Sequence, residues 1–254
     1  MQIKSVKIPD LEPKITVKSG KLPDLALTKY IAIMEIYPIA IFKSPLSGKF
    51  GVPRQSGLAQ SLEGEIQLQA PFNRPEALRG LDGFNYIWLI WEFSLNPQNK
   101  GLTVRPPRLG GNERVGVFAS RSPFRPNGLG LSCVELVDID FSKGCIHVKG
   151  ADLADGTPIY DIKPYVSYTD SHPDAEGGFV DTSEWKPLKV VFDADCPTPD
   201  RLTGIELEAL KEILSLDPRP QYQDDPSREY GLSFSGFNVR FRVDGETLTV
   251  ISVE

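Results

Sequence analysis

Histidine is almost missing from this chain of 254 residues: only His147 and His172 occur. That supply is too small to support metal ligation or an imidazole general base, and His147, inside the alternating stretch CIHVKG, reads as a strand side chain. A serine–histidine–aspartate nucleophile has correspondingly little support, and no metal is expected. Cysteine is scarce too. Cys133, Cys145 and Cys196 are odd in number and widely spaced, which fits reduced thiols and neither a disulfide framework nor a zinc site. No run of about 18 uncharged apolar residues occurs and the N-terminus lacks an apolar signal core, so the expectation is a cytoplasmic protein that neither spans a membrane nor is secreted. Also missing is a GxGxxG turn between a strand and a helix, which makes a Rossmann nucleotide site improbable.

What is present is enough apolar sequence, 40%, to bury a real core. Short apolar or alternating runs recur at YIAIMEIYPIAIF, GEIQLQA, YIWLIWEF, RVGVFAS, LSCVELVDIDF, CIHVKGADL and IYDIKPYV. They are rich in Val, Ile, Phe, Tyr and Trp and are separated by Gly, Pro, Asn or Asp, so they read as strands. The one helical candidate among them is the brief RPEALRGL. Strands with almost no intervening helix predict a mainly β fold over residues 30–170, an antiparallel β-barrel or sandwich, in place of a doubly wound α/β sheet. Residues 1–29, with six lysines and several prolines, read as an N-terminal extension.

After a polar connector at 167–187 the pattern changes, and residues 171–254 are expected to form a small α+β C-terminal domain. LKVVFDAD predicts a strand. TGIELEALKEILSL predicts a helix capped by Thr203, with Leu207, Leu210, Ile213 and Leu214 at helical spacing and a stop at Asp217-Pro218. NVRFRV and TLTVISV flank Asp244-Gly245 as a hairpin, with Arg240 and Arg242 on the face opposite Val239, Phe241 and Val243. That arginine pair offers either a further anion-binding face or a plain solvated surface.

The net charge of −6 argues against a uniformly basic nucleic-acid binder, yet it conceals a local excess. Between residues 100 and 128 lie Lys100, Arg105, Arg108, Arg114, Arg121 and Arg125, against Glu113 alone. A polarised protein of this kind draws an anion to one face. Four polar stretches, GVPRQSG, VRPPRLGGNERVGVFASRS, RSPFRPNGLGLS and DGTPIYDIKPY, join prolines and glycines to charged side chains. Proline limits the entropy lost when a loop orders, and glycine lets backbone approach a ligand. Four such loops on one barrel point to a built site. Arg121 and Arg125 carry guanidinium forks suited to carboxylate or phosphate.

These stretches, taken together and in order, resemble the TsaA/TrmO family of tRNA methyltransferases over roughly residues 34–170. DPRPQY and FNVRFRV resemble that family's C-terminal portion. The resemblance implies S-adenosylmethionine (S-adenosyl-L-methionine) as cofactor, methylation of N6 of threonylcarbamoyladenosine next to the anticodon of threonine tRNA, and a homodimer with cofactor sites near the subunit interface. It places cofactor contacts on Arg54, Gln55, Ser56, Arg121, Leu131, Asp155, Gly156, Thr157 and Pro158, with a further pair near Ser94 and Leu95. The tRNA backbone is assigned to Arg105, Arg108, Arg114 and Arg125. Asp155, Asp161 and Tyr160 are the candidates for a catalytic base. The chain departs from the family at Gly128, where a proline commonly follows the asparagine. Two other readings compete: a noncatalytic RNA-binding barrel with Phe124, Tyr160 and Tyr165 as stacking platforms, and a methyltransferase of the same fold with another substrate.

Overall fold

Alternation at two-residue spacing closes a barrel. The structure is a computed structural model that describes residues 35–97, 101–110, 113–182, 186–196, 202–219 and 225–254. The expected extension at 1–29 and the first residues of YIAIMEIYPIAIF lie outside them. In chain order the first eight strands are β1 (Ala40–Lys43), β2 (Glu63–Leu68), β3 (Tyr86–Glu92), β4 (Thr103–Val104), β5 (Val115–Gly116), β6 (Leu129–Asp140), β7 (Cys145–Lys149) and β8 (Pro158–Pro164). Six of them close in the order β1-β2-β7-β6-β3-β8, every pair antiparallel, with β1 joining back to β8. On β3, Ile87, Leu89 and Trp91 point inward against Phe42, Ile66, Val134, Ile146, Val148 and Ile159. Closure removes the exposed sheet edges that would otherwise invite pairing with other chains.

Two expected elements turn out differently. RVGVFAS contributes only β5, a two-residue partner of β4, and then winds into a 3₁₀ turn at Val117–Ala119. Val117 is the one buried anchor in that turn, and Phe118 is exposed, so the run has no continuous inward face to join the barrel. RPEALRGL forms a single helical turn, α1 (Pro75–Leu78), followed by a 3₁₀ turn at Leu81–Gly83. Four residues hold too few backbone hydrogen bonds to extend without a longer apolar stripe.

Antiparallel closure has a functional consequence. β1, β3 and β7 end, and β2, β6 and β8 begin, at the same rim, so the connections 44–62, 93–128 and 150–157 all emerge there. The polar, proline- and glycine-rich stretches of the sequence fall in these three connections or in the first residues of β6 and β8.

Beyond the barrel, α2 (Ser167–Asp170) and α3 (Phe179–Thr182) interrupt the connector. They precede β9 (Lys189–Phe192), α4 (Gly204–Ser215), β10 (Tyr230–Phe234), β11 (Phe237–Asp244) and β12 (Thr247–Val253). The sheet runs β10-β11-β12-β9, with only the last pair parallel. α4 begins as its sequence predicts. Thr203 Oγ1 accepts from the Glu206 amide at 3.2 Å and the Glu206 carboxylate accepts from the Thr203 amide at 2.9 Å, a reciprocal cap that contributes about 1 kcal/mol. Its inner face, Ala209, Leu210, Ile213 and Leu214, packs on Phe234, Val239, Phe241, Val243, Leu248 and Val250.

The same core also takes in Leu46, Ala59 and Leu62 from the connection between β1 and β2, so a loop of the barrel is buried in the C-terminal core. Polar contacts reinforce the join: the Ser61 amide donates to Glu212 at 2.8 Å, and the Ser235 amide donates to the Pro45 carbonyl at 2.9 Å. Residues Ile36–Glu254 accordingly form one contact unit. Arg240 and Arg242 do face outward as expected, but Glu229 lies against both, 3.9 Å from Arg240 and 2.5 Å from Arg242. The one carboxylate offsets half of the pair's charge and holds both arginines against their own surface.

Candidate active site

The rim is built from the loop outward. In the 44–62 connection, burial of Leu46, Ala59 and Leu62 holds both ends, and the Gly57 amide donates to the Gly150 carbonyl at 2.8 Å. Arg54, Gln55 and Ser56 are thereby presented on a braced segment. Arg54 donates to the Asp217 carbonyl at 3.3 Å. It keeps accessible area while dense neighbours surround its guanidinium. This desolvation holds its pKa below the ordinary value, Asp217 opposes the shift and nearby Arg108 adds to it.

Arg121 reaches across from the 93–128 connection, donating to Gln55 Oε1 at 2.6 Å. Two of the predicted cofactor loops therefore meet in one hydrogen bond. Arg125 folds back on its own loop, donating to the Ser120 carbonyl at 3.1 Å. Phe124, whose amide is held by Ser122, stays exposed. Gly128 explains the departure from the family pattern. Its φ is +59° and its carbonyl accepts from the Phe93 amide at 2.8 Å, and proline, locked near −65°, has no access to that left-handed backbone.

The third connection carries Asp155, Gly156 and Thr157. Asp155 accepts from the Ser44 amide at 3.2 Å and lies 3.9 Å from Lys43, while its own amide donates to the Leu46 carbonyl. Thr157 is buried, its hydroxyl donating to the Ala154 carbonyl at 2.7 Å, so its side chain shapes the turn. Gly156 faces open space. Pro158 opens β8, and Leu131 projects from β6 onto the outer barrel wall, 59% exposed. The predicted cofactor residues thus lie on connections that emerge at this rim or on the strands that begin there, and Gln55 and Arg121 meet directly. Ser94 and Leu95 are exposed just past β3 at this same end.

The basic residues spread more widely. Arg105 is exposed beside β4, Arg114 donates to Thr103 Oγ1 at 3.0 Å, and Arg108 contacts the Val180 carbonyl at 3.5 Å while sitting near Arg54. Of the base candidates, Tyr160 donates to Glu92 at 2.6 Å, and burial first, then that carboxylate, raises its pKa above the ordinary range. It stays a neutral donor. Asp161 is engaged by Lys163 at 3.1 Å and by the Ile162 amide at 3.0 Å. Among the described residues no cluster of three or more metal-ligating side chains occurs, and no helix is long and apolar enough to cross a membrane.

Two residues of this site were not singled out by sequence reasoning. Glu92 ends β3 as the partner of Tyr160. Asp152, between buried Ala151 and Leu153, takes a hydrogen bond from the Ser132 hydroxyl, which itself accepts from Trp91 Nε1 at 2.9 Å. A lone carboxylate in an apolar stretch is the only hint the sequence offers. Asp152 retains some accessible area, yet its carboxylate lies deep among neighbouring atoms. Desolvation pushes it up to about 6, against the Ser132 hydroxyl, its own amide, the Arg121 charge and the Ser56 amide.

The sign of the stability effect follows. An unfolded aspartate ionises near pH 4, so between about pH 4 and 6 the folded state holds a proton that the unfolded state has released. Asp152 should therefore lower stability as pH rises through that window, by roughly 2–3 kcal/mol in all. Urea unfolding of wild type and Asp152→Asn across pH 4–7 checks it: the difference between the two should change in this window and level off above it.

The chain is similar to known proteins over nearly all of this architecture. Residues 41–171 match the tRNA-methyltransferase O N-terminal domain, and residues 188–254 match the TrmO C-terminal domain. A tRNA (adenine(37)-N6)-methyltransferase of Escherichia coli K12 is 39% identical over 227 residues, covering 85% of this chain and 96% of the relative. RcsF of Pseudomonas aeruginosa, placed by its name among S-adenosylmethionine-dependent methyltransferases, is 39% identical over 214 residues, covering 81% and 91%. The crystal structure of TrmO from Pseudomonas aeruginosa superposes with a TM-score of 0.71 at 30% identity, over 88% of this chain and all of that one.

Proposed function

This chain belongs to the TrmO family of tRNA methyltransferases, and on that premise we propose that it methylates N6 of threonylcarbamoyladenosine next to the anticodon of threonine tRNA. The enzyme class is that of an S-adenosylmethionine-dependent tRNA (adenine-N6) methyltransferase. The observation that carries the reading is the convergence of three connections at one barrel rim, the first and second joined by the bond between Arg121 and Gln55 and the first and third by the bond between the Gly57 amide and the Gly150 carbonyl.

The residues present fit the cofactor. Its carboxylate suits the exposed guanidinium of Arg121, its hydroxyl and ammonium groups suit Asp155, and its apolar parts suit Leu131. Gln55 and Ser56 add backbone and side-chain polar groups, Arg54 adds positive potential, and Gly156, in the turn with Thr157 and Pro158, faces open space. When bound, S-adenosylmethionine supplies an electrophilic methyl group. The protein's part is to hold the target nitrogen in line and keep the rim rigid, because positioning alone can supply a large share of the rate. The N6 lone pair is delocalised, so its proton must be accepted as the bond forms. We assign Asp155 to cofactor binding. Tyr160, kept neutral beside Glu92, is suited to donate and not to accept.

Arg105, Arg108, Arg114 and Arg125 form the tRNA face, and the reaction is assigned to the cytoplasm. Tyr86 and Leu131, exposed on the outer wall of β3 and β6 with half-buried Ile90 and Cys133 on the same face, leave apolar surface that supports a homodimer built on this face. Residues 30–170 act as the methyltransferase barrel and 171–254 as the unit that braces it.

Arg105→Ala should weaken tRNA binding a few-fold and flatten its salt dependence by about one phosphate contact, while leaving S-adenosylmethionine affinity unchanged. Filter binding across a salt series, paired with cofactor calorimetry, measures both. The assignment itself is tested by nucleoside mass spectrometry of threonine tRNA after incubation with enzyme and labelled cofactor. Methylated threonylcarbamoyladenosine is expected, and its absence from a tRNA that carried the modification at the outset would sink the substrate assignment.

A further inference from the structure

A carboxylate packed beneath a surface loop, within reach of no ion-paired partner at hydrogen-bond distance, costs stability unless something else is gained. Asp152 is such a group. It stands where the third connection leaves β7, and groups from three separate parts of the rim act on it. The Ser56 backbone N–H, from the 44–62 connection, is close enough to favour its ionised form. The Ser132 hydroxyl donates to it from β6, and that hydroxyl is fixed in turn by the indole N–H of Trp91 from β3. Arg121, from the 93–128 connection, is close enough for its charge to favour the ionised carboxylate.

Each of these groups is itself assigned to the cofactor or adjoins a residue that is. Ser56 follows Gln55, whose side chain holds Arg121. Ser132 follows Leu131, and since successive strand residues face opposite ways, fixing Ser132 inward aims Leu131 outward. Asp152 itself lies three residues before Asp155. We propose that Asp152 is a positioning residue: its two acceptor oxygens clamp the Ser56 amide and the Ser132 hydroxyl, and so set the geometry in which Gln55, Arg121 and Leu131 receive S-adenosylmethionine.

The inference rests on the cofactor reading above and adds a residue that does not itself touch the cofactor. The chemistry calls for a carboxylate. Asparagine keeps one acceptor oxygen but sets an NH₂ group where the second donor needs an acceptor, so one of the two contacts must open. A site held within a fraction of an ångström loses affinity when its support loosens.

Asp152→Asn separates positioning from plain structural support. Calorimetry with S-adenosylmethionine should show affinity reduced about 10- to 100-fold, with a melting temperature no lower than that of wild type, because a buried charge has been removed. Amide hydrogen exchange on the cofactor-free protein should be faster at Ser56 in the variant. Ser132→Ala, which removes one donor and leaves the carboxylate, should show a smaller affinity loss in the same direction. Unchanged affinity in Asp152→Asn, unchanged exchange at Ser56, or an affinity loss that merely tracks a fallen melting temperature would each overturn the proposal. Wild-type protein that binds no S-adenosylmethionine would overturn the cofactor reading along with it, whereas the Ser56 exchange result depends on the clamp alone.

Discussion

Trp91→Ala is expected to destabilise the fold by about 3–5 kcal/mol, the usual cost of emptying a large aromatic site in a core that cannot collapse around it. For a chain of this size that corresponds to a fall in melting temperature of roughly 10 °C. Trp91 is 5% exposed, packs edge-on against Phe93 at 4.4 Å between ring centroids, and lies flat over Gly130 on the neighbouring strand. A Cβ built on Gly130 would lie 2.3 Å from Trp91 Cε2, closer than any real contact, so the two positions have been fitted to each other. Truncation leaves a void lined by Gly130 and removes the donor that Ser132 accepts from. Trp91→Phe keeps most of the volume and loses only the indole N–H, so its cost should be nearer 1 kcal/mol. Differential scanning calorimetry on the two variants separates packing from hydrogen bonding. Equal losses in both would show that the hydrogen bond, and not the volume, holds this corner of the barrel.

Arg121→Ala should weaken S-adenosylmethionine binding about 10- to 100-fold, as expected for a charge-assisted hydrogen-bonding group at a carboxylate site. Arg121 is exposed, so the substitution leaves no cavity, and the melting temperature should move little. Arg121→Lys keeps the charge without the planar fork and should recover only part of the affinity. A second consequence can be read without cofactor. The Arg121 charge favours ionised Asp152, so its removal should raise the Asp152 pKa further, and NMR titration of the side-chain carboxyl follows that directly. Full cofactor affinity in Arg121→Ala would remove Arg121 from the site.

Much of the architecture was legible because it depends on local periodicity. Alternation in YIWLIWEF dictates that Ile87, Leu89 and Trp91 share a face, and a strand has no other way to bury them. Thr203, with Glu206 three residues on, marks a helix start through hydrogen bonds made within four residues, and Asp217-Pro218 marks its end. RVGVFAS misled for the complementary reason. Its β-branched composition suits a strand, but whether a strand joins a sheet depends on a partner edge, and that information lies elsewhere in the chain.

The sequence by itself determined which residues are chemically equipped: the arginines at 105–125, the permissive loops around Gly57, Gly128 and Gly156, and the carboxylate in DGTP. Only the tertiary structure decided what those residues do to one another. Gln55 and Arg121 stand 66 positions apart, Ser61 and Glu212 stand 151 apart, and Asp152 meets Ser132 across 20. Antiparallel closure delivers three distant connections to one rim, and the C-terminal core then grips the first of them through Leu46, Ala59 and Leu62. Hydrogen bonds and burial act over a few ångströms of space and take no account of distance along the chain, so the clamp at Asp152 exists only once the barrel has closed.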